Sequence, residues 1–122
     1  MRISCENGDI TIADTKEVIL LILSLAEKGM NEIWISEDGS LYPALAVLVN
    51  GGYACLNYFG NDEGDMYMSR GYGNTQVTFN PCGTEWTAPA DAVISIESAV
   101  ACIRRFCENY KLPDCINWQD GV

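Results

Sequence analysis

The sequence contains no histidine, which removes the commonest general base and excludes every Ser-His-Asp or Cys-His arrangement. Positive charge is also scarce. Seven Lys and Arg face 17 Asp and Glu, for a formal net charge of −10. A chain that tracks phosphates needs a basic stripe to displace counterions, so direct nucleic-acid binding is not expected. The balance favours a basic partner, because opposite potentials steer encounter. Long apolar runs are missing too. The run from Val18 to Leu23 extends only through Ala26 and is flanked by Asp14, Glu17, Glu27 and Lys28, too short to span a bilayer. The start, Met1-Arg2-Ile3-Ser4-Cys5-Glu6, does not lead a charged segment into an apolar one as a secretory signal does. No membrane role is expected, and the expected location is the cytoplasm.

The six cysteines are Cys5, Cys55, Cys82, Cys102, Cys107 and Cys115. None is paired at zinc-knuckle spacing, and without histidine no mixed site can form. With 48% hydrophobic residues the chain supplies its own core, so the thiols are expected to be reduced and mostly buried. No metal and no cofactor are expected. At 122 residues the chain fits one domain, 1–122, able to bury about two-thirds of its unfolded surface.

Arg2 to Cys5 reads as a short strand before an Asn7-Gly8-Asp9 turn. Asp14, followed three residues later by Glu17, has capping-box spacing and opens a helix from Thr15 to Lys28. Val18, Ile19, Ile22, Leu25 and Ala26 share one face, and Leu20, Leu21 and Leu23 widen it, which predicts a helix covered on more than one side. After Gly29 the period becomes two. Ile33 and Ile35 oppose Trp34, and Leu41 to Val49 is apolar on both faces, as a central strand is. Asn50-Gly51-Gly52 predicts a hairpin into Tyr53–Phe59. The acidic connection 60–65 leads to a strand through Met66, Met68 and Arg70 that Gly71 and Gly73 interrupt. Gln76 to Phe79 is expected to resume it, with Thr84–Thr87 as a short edge strand. Ser95 caps a last helix whose apolar face is Ala99, Val100, Ile103, Phe106, Cys107 and Tyr110, and Pro113 ends it. Cys115 to Trp118 suits a short terminal strand. The fold class is α+β: an antiparallel meander packed with an N-terminal and a C-terminal helix.

Catalytic constellations are absent from this pattern, and no catalytic residue is assigned. Gly71-Tyr72-Gly73 lacks the lysine and helix of a phosphate loop. Asp62, Glu63 and Asp65 lack EF-hand spacing and read as a solvated turn. Trp34 and Trp118 lie in apolar-alternating segments and read as core or core-edge residues. Trp86 follows Glu85 in a segment flanked by Gly, Thr and Pro. An exposed tryptophan rimmed by polar residues is a favoured interface anchor. Tyr67 and Tyr72 flank the acidic turn. The candidate partner-binding residues are therefore Asp62, Glu63, Asp65, Tyr67, Tyr72, Glu85 and Trp86.

One further pattern runs along the chain. Val49-Asn50-Gly51-Gly52-Tyr53-Ala54-Cys55-Leu56-Asn57-Tyr58 is followed by Ser69-Arg70-Gly71, by Val93-Ile94-Ser95 before the last helix, and by Leu112-Pro113-Asp114-Cys115-Ile116-Asn117-Trp118. In this order these segments resemble an immunity-protein family of bacterial polymorphic toxin systems, whose members include the inhibitor of an interbacterial DNA cytosine deaminase toxin. The resemblance implies an α+β fold that binds a cognate toxin domain, expected to be folded and basic, and blocks its active site. It does not identify the toxin. Contact residues are expected in the turns, where the family's pattern is silent. An adaptor or chaperone for a secreted effector would share the small, acidic α+β character, but would bind an unfolded segment. An enzyme working through carboxylates or a thiolate would show a deep pocket with converging acids.

Overall fold

In the computed structural model, residues 1–5, 8–61, 63–71, 73 and 75–120 are described, the Cys82 side chain excepted. The chain runs β1 (Arg2–Cys5), β2 (Gly8–Thr11), α1 (Thr15–Lys28), β3 (Asn31–Ser36), β4 (Ala44–Asn50), β5 (Tyr53–Phe59) and β6 (Met66–Arg70). It continues with β7 (Thr78–Phe79), β8 (Trp86–Thr87), β9 (Ile94–Ser95), α2 (Ile96–Asn109) and β10 (Asn117–Asp120). The main sheet has the order β10-β6-β5-β4-β3-β1-β2, with β9 added beside β5, and all its pairings are antiparallel.

β4 is central because its sequence is apolar from Ala44 through Val49, and all six of these residues are buried. Leu45, Val47 and Val49 face the helices, where Ile22 and Ala26 of α1 and Ile103 and Phe106 of α2 fill the principal core. On the opposite face Leu48 belongs to a second cluster with Cys55, Phe79, Ala88, Ala92 and Val93. Trp34 stacks on Phe59 at 4.9 Å. The predicted hairpin after β4 also joins the two helices to the sheet. The Gly51 N–H donates to the Ala26 carbonyl at 2.9 Å, and the Gly52 carbonyl accepts the Ile96 N–H at 2.9 Å.

Both helix starts are capped from the sequence. Asp14 accepts from the Lys16 N–H at 3.0 Å, one residue short of the capping-box position, and Ser95 Oγ accepts from the Ser98 N–H at 3.1 Å. The expectation that α1 is covered on more than one side is corrected. Val18, Ile19, Ile22 and Ala26 are buried, but Leu20 is 66% exposed and Leu23 36%. One sheet face can cover only one stripe of a helix, and α2 lies beside α1 instead of above it.

The segment after β6 is the second correction. It does not resume β6 in the sheet. β7 and β8 pair only with each other, as a ribbon that caps the second cluster on the helix-free face. The exit is set by Ser69 and Gly71. β5 pairs with β6 from Asn57 to Phe59, but the next N–H, of Leu56, donates to Ser69 Oγ at 3.0 Å. The same hydroxyl donates to the Ala92 carbonyl at 2.7 Å. The Gly71 N–H then donates to the Asp91 backbone carbonyl at 2.7 Å, and a Cβ at Gly71 would overlap the Val93 carbonyl oxygen. β9 takes the place beside Tyr53 and Ala54 that β6 has left.

The cysteines follow packing in part. Cys55 and Cys102 are buried, Cys5 and Cys107 are half-buried, and Cys115 is exposed, against the expectation of mostly buried thiols. Burial pushes the Cys55 and Cys107 thiols from 9.0 up to about 11.

Two outcomes follow for stability. Ser69→Ala leaves the buried Leu56 N–H and Ala92 carbonyl without their partner and should cost about 1–3 kcal/mol in urea unfolding. Gly71→Ala should cost a similar ~1–3 kcal/mol, because its clash is with backbone. For pH, the folded state holds the Cys55 and Cys107 protons more tightly than the unfolded chain does. Their contribution is therefore complete below pH 9.0 and lost as the pH rises toward about 11. The urea midpoint should fall over that window, and less steeply in Cys55→Ala.

Candidate functional site

In an antiparallel meander alternate connections emerge at the same end. Ser36, Ala44, Phe59 and Met66 lie side by side across β3, β4, β5 and β6. The 37–43 and 60–65 connections therefore share one end of the sheet. Asp120 of β10, opposite Tyr67, lies there as well. This brings Glu37 and Asp38 onto the same rim as Glu63 and Asp65, although about 25 residues separate them in the chain.

Local bonds shape both loops. The Gly60 N–H donates to the Asp65 carbonyl at 2.7 Å, and Asn61 Oδ1 accepts from the Glu63 N–H at 2.9 Å. In the other loop the Ser40 N–H donates to the Glu37 carbonyl at 3.1 Å, and Ser40 Oγ donates to the Tyr42 carbonyl at 2.8 Å. The acidic side chains are exposed. The terminal ammonium of Met1 reaches Asp38 at 3.4 Å, a surface pair of small energetic weight. Apolar surface accompanies the charge: Leu41 is 64% exposed, Tyr42 39% and Tyr67 37%.

A row of rings links the two acidic loops. Tyr110 meets Phe106 at 5.5 Å, Phe106 meets Tyr58 at 6.2 Å, and Tyr58 meets Tyr67 at 6.4 Å. Burial raises the Tyr58 phenol and the Asp65 carboxylate raises it further. At the other end of the row burial, then Cys107, then Glu37 and Asp38 raise Tyr110. Both phenols thus register negative potential from opposite sides of the same rim.

Of the residues singled out from the sequence, Glu63, Asp65 and Tyr67 are gathered here. Asp62 and Tyr72 lie outside the described residues. Glu85 and Trp86 are elsewhere, on the β7–β8 ribbon over Leu48 and Cys55. Glu85 is exposed, whereas Trp86 is half-buried against the second cluster and pairs with Phe79, so much of its ring serves packing. Glu37, Asp38, Leu41 and Tyr42 are not among the candidates drawn from the sequence, where Leu41 and Tyr42 fall in the stretch expected to begin the central strand, which starts at Ala44. The parity of meander connections is the signal that places them beside the second acidic turn.

Two clefts lie away from this rim. One, of about 460 Å³, is lined by Leu21, Leu25, Met30, Trp34 and Glu32 among others. The other, of about 440 Å³, includes Arg70, Ser95, Ser98, Asp114 and Cys115. Among the described residues each is lined by a single carboxylate, Glu32 in one and Asp114 in the other.

The family model described as immunity protein Imm1 covers residues 6–120. No curated protein matches the chain.

The placement of the aromatics has a direct consequence for stability. Leu41→Ser and Tyr42→Ser should each leave the unfolding free energy within about 0.5 kcal/mol, as exposed positions do. Trp86→Ala, which strips cover from the second cluster, should lose about 2 kcal/mol. Urea titrations followed by far-UV circular dichroism distinguish the two classes.

Proposed function

Since the chain belongs to the Imm1 family of immunity proteins, we propose that it neutralises its cognate bacterial toxin by seating the acidic rim of its sheet over the toxin's active site. Membership of the family makes it an immunity protein whose partner is a toxin. The observation that carries the finer reading is the convergence of Glu37 and Asp38 with Glu63 and Asp65 at one sheet end, around exposed Leu41, Tyr42 and Tyr67, on a chain of net charge −10.

A toxin that acts on nucleic acid, a deaminase or a nuclease, must hold phosphates in a basic groove. A rim of carboxylates matches that groove as a substitute for the backbone, steering encounter and fixing register. Apolar and aromatic side chains at the same place supply the desolvated contact that charge alone does not. In this reading the partner is a folded basic domain, the inhibitor itself touches neither nucleic acid nor membrane, and it works in the cytoplasm as one domain without catalysis. Asp62 and Tyr72 belong to the proposed contact set by their sequence positions alone. Glu85 and Trp86, by the ribbon that meets Asn50 at the far end of the sheet, lie outside this proposed rim.

The test uses the purified cognate toxin domain. Replacing Glu37, Glu63 and Asp65 together by lysine should slow association about 10- to 100-fold at low ionic strength and much less at high salt. Tyr42→Ala and Tyr67→Ala should act mainly on dissociation. An association rate indifferent to the triple reversal, with protection of toxin-expressing cells intact, removes the rim from the interface.

A further inference from the structure

Packing accounts for Cys55, inside the second cluster, and for Cys107, whose sulfur lies 3.4 Å from that of Met1. Packing in the principal core also accounts for Cys102, but it does not account for the exposed Cys115 or for the contact between these two sulfurs. Cys102 is fully buried on the inner face of α2. Cys115 is exposed, in the segment between α2 and β10, on the wall of the 440 Å³ cleft. Their sulfurs stand 3.1 Å apart. A disulfide bond is about 2.05 Å long, so closing this pair requires a movement of about 1 Å.

The segment that carries Cys115 is held on both sides of it. Pro113 is buried, and its carbonyl oxygen accepts the Trp118 Nε1–H at 2.6 Å. Asp114 reaches the Arg105 guanidinium at 3.8 Å, and β10 is paired with β6 from Asn117 onward. The contact between the sulfurs therefore joins two positioned elements.

We propose that Cys102 and Cys115 form a reversible redox site, closed to a disulfide by a peroxide oxidant. Cys115, open to the cleft, reacts first. Its thiolate attacks one oxygen of hydrogen peroxide, the O–O bond breaks, and the departing hydroxide takes up the proton released by the thiol to give water. Cys115 is left as a sulfenic acid. Cys102 then attacks the Cys115 sulfur, the S–O bond breaks, and the hydroxide leaves as a second water with the Cys102 proton. Two thiols and one peroxide become one disulfide and two waters, and a dithiol reductant reverses the change. Burial, followed by the contact with Cys115, raises the Cys102 thiol, so Cys102 stays protonated and Cys115 is the first to meet oxidant. The bond would tie β10 and its lead-in to α2, so that the sheet edge could not open without the helix, and would fix one wall of the cleft.

The experiment treats the full chain with a small excess of hydrogen peroxide, blocks remaining thiols, and maps peptides without reduction. The expected result is one cross-linked pair of peptides containing Cys102 and Cys115, lighter by two hydrogens and restored by dithiothreitol, with a raised thermal midpoint in the oxidised form. Cys115→Ser, at an exposed position, should abolish both the link and the rise while leaving the reduced midpoint unchanged, and Cys102→Ala checks the link from the other side. Conversion of Cys115 to sulfinic acid without cross-linking, or a link from either cysteine to a different thiol, overturns the proposal.

Discussion

The two-sided burial of β4 is the constraint on which the other elements depend. A strand with no polar face forces cover on both sides of the sheet. The helices provide it on one side and the excursion between β6 and β9 on the other. The hairpin that ends β4 then ties down both helices through two backbone hydrogen bonds, Gly51 to Ala26 and Ile96 to Gly52. Helix placement and sheet order are thus settled around one seven-residue segment.

A buried hydroxyl makes the second layer possible. Ser69 stands where β6 parts from β5, and its single oxygen serves the Leu56 N–H on one strand and the Ala92 carbonyl of the returning chain. Both partners would otherwise be unsatisfied in the interior, where the loss is large. The Ser69-Arg70-Gly71 motif is therefore a steering device. Serine replaces a ladder bond, and glycine lets the chain pass against Val93. The motif's role in this chain is structural.

This division of labour suits an inhibitor. The strands and helices that set stability carry few of the exposed acids at the rim. Those acids lie on connections whose sequences can change with little effect on the core. The same economy appears at the opposite side of the fold, where Cys115 sits on a connecting segment, held against a helix that would be stable without it.

Local interactions were legible in the amino-acid order. The α1 boundaries, the Ser95 cap, the Asn50-Gly51-Gly52 hairpin and the two-faced character of β4 follow from capping chemistry, turn preference and periodicity, all of which act over a few residues. The linked motifs from Val49 to Trp118 likewise pointed to the family. Tertiary structure alone decided how much of Leu20 meets solvent, why Trp86 packs instead of standing free, and that β7 and β8 leave the sheet. It also set Glu37 and Asp38 beside Glu63 and Asp65, and Cys102 against Cys115. Each of these depends on which segment occupies a neighbouring place in space. Strand order and the parity of connections determine that, and no periodicity within a single segment encodes it.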